Sequence, residues 1–196
     1  MNGKMADQML TIFSDRIDFD NLPMDDTATF DLIKKADTDG IYMMESDWDK
    51  YDLLQIMPEN IDELAAAIAF SFSPSINPFI YTYKKIQRVS SYVYQLYSKL
   101  DKVKEILSET HGMILWREQK EEILEYINSL PDDEKEKNRI PIRVLLKEID
   151  KNGHLLPKSR FFRDRASVCY KLAYIKAHMP EDFEYHRRNL NKNMSA

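Results

Sequence analysis

Glycine is scarce in this chain, with only 4 in 196 residues. An all-β protein needs many tight turns, so strand-rich architectures are disfavoured from the outset. Cysteine is scarcer still: Cys169 stands alone, which excludes an internal disulfide and leaves no thiolate cluster for zinc. Its neighbours Val168 and Tyr170 mark it as a small core residue rather than a nucleophile. No apolar run reaches 18 residues, and the opening MNGKMADQML lacks the apolar stretch of a signal peptide. The expectation is a cytoplasmic protein with no membrane partner.

Motifs for chemistry are also missing. There is no HExxH, no glycine-rich phosphate loop and no GxSxG, and His111, His154, His178 and His186 include no pair at helical ligand spacing. Two acidic turns invite comparison with calcium loops, which need oxygen ligands at positions 1, 3, 5 and 12 around a glycine at 6. Aligned on Gly40, position 1 is Lys35 and position 12 is Ser46; aligned on Gly153, position 12 is Ser159. Both lack the bidentate glutamate, so the residues give no catalytic site, metal site or cofactor.

What is present is material for a helical core. The chain is 43% hydrophobic and 11% aromatic, and its charged residues (31%) are mixed in sign. The net charge of −5 conceals an asymmetry: residues 157–192 carry nine Lys/Arg against four Asp/Glu, so residues 1–156 carry −10. Phosphate contacts require cations, which leaves the C-terminal segment as the only surface suited to nucleic acid. Lys158, Arg160, Arg163, Arg165, Lys171 and Lys176 are the candidates there, opposed by a reading in which these cations pair with acidic neighbouring helices.

Periodicity and stop signals lay out the elements. A helix is expected from Asp26, ending at the turn 37–40, followed by a short extended piece over Ile41–Met44. Pro58 opens a second helix with Ile61, Leu64, Ala65 and Ile68 on one face, broken by the Ser/Pro-rich stretch 71–78. Ile86, Val89, Val93, Leu96, Leu100, Val103 and Leu107 alternate spacings of three and four, the seam of one long helix over 79–107. That seam packs within the fold or carries self-association or a protein partner. Further helices are expected over 114–129, from Pro141 to Ile149, and over 159–179, with Pro180 as interruption. Residues 131–138 read as a solvated connector. The fold class is mainly α, an irregular multi-helix domain with one long helix and at most a short β segment. Residues 1–16 are an extension, 17–190 a single domain and 191–196 a frayed tail.

Three stretches, in order, resemble the fingers region of the bacterial DNA polymerase III alpha subunit, the C-family replicative polymerase. The first is 17–46, where Tyr42, Met43, Met44, Glu45 and Ser46 hold the positions of a phenylalanine-glutamine-leucine-glutamate-serine motif, continuing through 53–74. The second is ETHGMILWREQKEEI (109–123), in which Gly112, Glu118 and Gln119 match and Arg117 replaces a glutamine. The third is YKLAYIKAHMPEDF (170–183), matching at Lys176, Ala177, His178, Pro180 and Phe183.

The departures are informative too. The family's palm aspartates precede this region and have no counterpart here. An arginine-proline-glycine-proline turn is replaced by Phe72-Ser73-Pro74-Ser75, a basic block is deleted or rewritten between Asn128 and Lys158, and a serine-histidine pair reads Arg160-Phe161. Two-metal phosphoryl transfer needs carboxylates that hold the metals. The resemblance therefore implies a stand-alone, non-catalytic relative of the fingers, without cofactor, that binds DNA or protein in DNA replication. The rival readings are a helical protein-interaction module with no nucleic-acid role and a subunit that completes a polymerase in trans.

Overall fold

A computed structural model describes residues 1–72, 80, 83–84, 99–152 and 156–194. Those residues form ten α-helices and one 3-10 turn, with no strand among them. Two compact units emerge: unit 1 joins Met1–Phe72 with Phe161–Ala196, and unit 2 is Ser73–Arg160.

Unit 1 begins with α1 (Gly3–Phe13), where the sequence reading has only an extension. Asn2 caps it by accepting from the Met5 amide, and Met5, Ala6, Met9 and Phe13 are buried. Met5, Met9 and Phe13 recur every fourth residue, an amphipathic pattern that the sequence reading does not use. Helix α2 (Thr27–Lys34) starts as expected at the N-cap Asp26. The expected extended piece at 41–44 is instead a run of turns: the Ile41 amide bonds Thr38 O, the Met44 amide bonds Ile41 O, and Met43 has φ 59°. Ile41 and Met44 still enter the core.

Helix α3 (Asp47–Ile56) follows, opened by a capping box in which the Asp49 amide donates to Ser46 Oγ and the Ser46 amide to Asp49 Oδ2. Its neighbour α4 (Ile61–Phe72) is buried from Glu63 to Phe70 without a gap, apolar throughout from Leu64 on. Burial on every side marks it as the central helix of this unit.

In unit 2 the helix expected over 79–107 is not continuous. Leu100 takes an extended conformation (ψ 101°), and a new helix, α5 (Asp101–Ile106), begins after it. Residues 81–82 and 85–98, with the seam positions Ile86 to Leu96, lie outside the described residues. The last seam members, Leu100, Val103 and Leu107, are buried in the unit's own aliphatic core, with Ile123, Ile127, Ile142, Leu145 and Ile149.

Helix α6 (Arg117–Ser129) supplies two of those residues. The stretch read as a connector holds a short, wholly solvated helix, α7 (Asp132–Lys137). Helix α8 (Arg139–Asn152) completes the core, starting two residues before Pro141. Its expected stop, Gly153, lies outside the described residues.

The longest described helix, α9 (Ser159–His178), begins at the end of unit 2 and runs on into unit 1. Pro180 then opens α10 (Pro180–Met194), so the stretch expected to fray from 191 is helical up to Met194. No described helix is long and apolar enough to cross a membrane.

Candidate functional site

The motif residues are fastened to one another. In unit 1, helix α9 lies over the stretch 23–42 and holds it by four side chains. Tyr170 donates its hydroxyl proton to Pro23 O (2.6 Å) and accepts from the Asp26 amide (2.9 Å). Cys169 donates to Tyr42 O (3.1 Å). Lys176, whose side chain is 10% exposed, donates to Asp37 O, Asp37 Oδ1 and Asp39 O at 3.0, 2.8 and 3.2 Å. His178 Nε2 lies 3.0 Å from Asp26 Oδ2.

These contacts explain the local chemistry. Burial drives the Cys169 thiol pKa far up, so it stays protonated and can serve as a donor. Partial burial works against ionisation of Asp26. The bonds from Thr29 and His178 outweigh it and hold the carboxyl below the usual aspartate range. The same Asp26 carboxylate accepts from the Thr29 amide and hydroxyl at the start of α2.

The turn that Lys176 grips has a second restraint. Gly40 has φ +75°, and a Cβ there would lie 2.2 Å from Arg187 Cδ. Arg187 is itself held by Glu184, and that bond raises its pKa. Glu45 accepts from the Gly40 amide (3.2 Å) and pairs with the amino group of Met1. Glu45, Ser46, Lys176, His178 and Pro180 thus all serve local geometry.

In unit 2 the second motif centres on one buried amide. Gln119, 4% exposed, accepts from the Leu115 and Trp116 amides at 3.0 and 3.1 Å. It donates to Ile106 O (3.2 Å) and Thr110 Oγ1 (2.8 Å). Gly112, at φ +89°, lets the chain reverse so that its amide meets Leu107 O at 2.8 Å. Glu118 accepts from the Ser159 amide (3.1 Å), placing a carboxylate at the N-terminus of α9, where the helix dipole favours it.

The six basic candidates divide. Arg163 pairs with Asp62 at 2.7 Å, and Lys176 is consumed as described. Arg165 lies over the Phe161 ring, 3.4 Å from its centroid, and Lys171 sits 5.7 Å from the centroid of Phe19. Lys158 and Arg160 are exposed, with no ion pair among the described residues. Asp26, Asp37, Asp39, Cys169 and Tyr170 were not singled out as site residues from sequence. Only the N-cap role of Asp26 had a local signal.

The profile of the bacterial DNA polymerase III alpha subunit finger domain matches residues 4–149. The DNA polymerase III subunit alpha of Staphylococcus aureus strain Mu50 is 32% identical over 103 residues, and so is that of Staphylococcus epidermidis strain ATCC 35984. Each alignment covers 53% of this chain and 9% of the relative, so the chain corresponds to a small part of those proteins.

Proposed function

The chain belongs to the family of bacterial DNA polymerase III alpha subunit finger domains, and on that footing we propose that it serves DNA replication as a non-catalytic, stand-alone fingers scaffold that binds rather than reacts. The observation that carries this reading is the interlock. Positions that match the family are spent on internal contacts: Lys176 on the 37–39 turn, His178 on Asp26, Gln119 on the 106–116 loop. The family's arginine at the turn now reading Phe72-Ser73-Pro74-Ser75 is replaced. A kept scaffold with altered ligand-facing positions is what these features support.

DNA contact, on this reading, rests on Lys158 and Arg160, since the other cations have internal partners. Two phosphate contacts give a slope of roughly −1.4 to −1.8 in log affinity against log salt, so binding is confined to low ionic strength. Titration of labelled single- and double-stranded DNA tests this. The Lys158→Ala/Arg160→Ala protein is expected to lose most of the binding. Equal binding by wild type and this variant would remove the segment as the contact surface. Absence of binding by either would favour a protein-interaction role. Primer extension by the repurified chain with magnesium would refute the non-catalytic part.

A further inference from the structure

The first turn of α9 departs from the family pattern in a way that the interlock does not use. Arg160 and Phe161 stand where the resemblance places a serine and a histidine. Neither is spent on the core. Arg160 has no ion pair among the described residues, and Phe161 is 47% exposed, while its neighbour Phe162 is buried at 6%.

The exposed ring is held flat and capped by a cation. Arg165, one helical turn on, lays its guanidinium over it, with Cζ 3.4 Å from the ring centroid, the separation of two stacked planes. Nη1 of the same group reaches Phe161 O at 3.4 Å. Phe162 meets the ring edge-to-face, at 5.0 Å between centroids and 76° between planes. Arg165 has no ion pair among the described residues, so its charge is unspent, and Asp164 is the only acid in 158–168.

A rigid aromatic–guanidinium pair next to free cations is what single-stranded nucleic acid engages: phosphates meet the cations, and bases stack on aromatic and guanidinium planes. In a duplex the base faces are already stacked on one another. A single ring offers too little apolar surface to anchor a protein interface or an amphipathic membrane contact.

We propose that the start of α9 selects unpaired DNA, with a base stacked on the Phe161–Arg165 pair while Lys158 and Arg160 hold neighbouring phosphates. This rests on the Lys158/Arg160 reading and adds a preference that phosphate contacts alone cannot give.

Three probes of equal length, titrated against the intact chain at low salt, test it: oligo-dT, an abasic strand with the same phosphates, and a duplex. Oligo-dT is expected to bind about fivefold more tightly than the abasic strand, and more tightly than the duplex. Phe161→Leu alters no charge and should bring oligo-dT down to the abasic level with unchanged circular dichroism, and Phe161→Tyr should restore the difference. Equal affinity for oligo-dT and the abasic strand, with both weakened in the Lys158→Ala/Arg160→Ala protein, would overturn the stacking and leave the phosphate reading standing. A preference for oligo-dT that survives in Phe161→Leu would overturn it as well, and so would a duplex bound more tightly than oligo-dT. Binding of no probe would overturn both readings together.

Discussion

Each unit holds a turn-containing segment in place, by opposite means. In unit 1 the 23–42 segment is tied down from far away in the chain, by Cys169, Tyr170, Lys176 and His178, and several of these bonds lie near the surface. In unit 2 the 106–116 loop is held from close by, through its own backbone bonds and one buried amide, Gln119, that joins four of its groups. Distributed, charged restraints fail gradually and respond to pH. A concentrated, neutral restraint fails all at once.

The largest effect is expected at Gln119. Gln119→Met keeps most of the volume and removes every bond, leaving the buried amides of Leu115 and Trp116 without an acceptor. At 1–3 kcal/mol for each orphaned group, unit 2 should lose about 3–5 kcal/mol. Urea unfolding followed by the emission of Trp116 measures this, and a loss below about 1 kcal/mol would refute the single-restraint picture.

A smaller loss is expected from Lys176→Met in unit 1, because Tyr170, Cys169 and His178 remain. Hydrogen bonds to charged groups contribute about 1.5–3 kcal/mol. The lone thiol is the reporter: Cys169 should be inert to thiol reagents in the folded protein and labelled when unit 1 opens. Faster labelling with an unshifted Trp116 transition would sharpen the contrast. A shift of both by the same amount would break it, since the units would then unfold together.

The smallest effect concerns acid. The carboxyl of Asp26 is held below its usual range in the fold, so its stabilisation is complete above the unfolded pKa and is lost as pH falls through the lower, folded value. Asp26→Asn should therefore flatten the acid limb of the labelling profile of Cys169. Asn is as good an N-cap as Asp, so the loss at neutral pH should stay under about 1 kcal/mol. An unchanged acid limb would remove Asp26 from the account.

Much of the helical framework was legible because its signals are local. The Asp26 cap, the apolar run of α4, and the Ile123/Ile127 stripe of α6 each state themselves within a few residues. The start of α3 is equally local, since Ser46-x-x-Asp49 is a capping box. Helix α1 has an equally local signal, the Asn2 cap and the four-residue recurrence of Met5, Met9 and Phe13, the face that meets α10 in the fold. The interruption at Leu100 carries no glycine, proline or side-chain cap, and nothing in the local sequence explains it.

The candidate site was legible as residue types and not as roles. Arg163 and Lys176 read as cations open to phosphate. What engages them, Asp62 and the 37–39 turn, lies more than a hundred positions away and leaves no trace in spacing.

Unit 1 is assembled from two stretches with all of Ser73–Arg160 synthesised between them. At ribosomal rates of 5–20 residues per second, that interval is on the order of ten seconds. Throughout it the 23–42 segment lacks the helix that carries Cys169, Tyr170 and Lys176. Nascent chains cut short before that helix would leave Ile33 and Ile41 of that segment without the side chains that hold it in the fold. Ribosome-bound intermediates of this length are therefore where holdase chaperones should be found, and 3′-truncated messages where aggregates should accumulate.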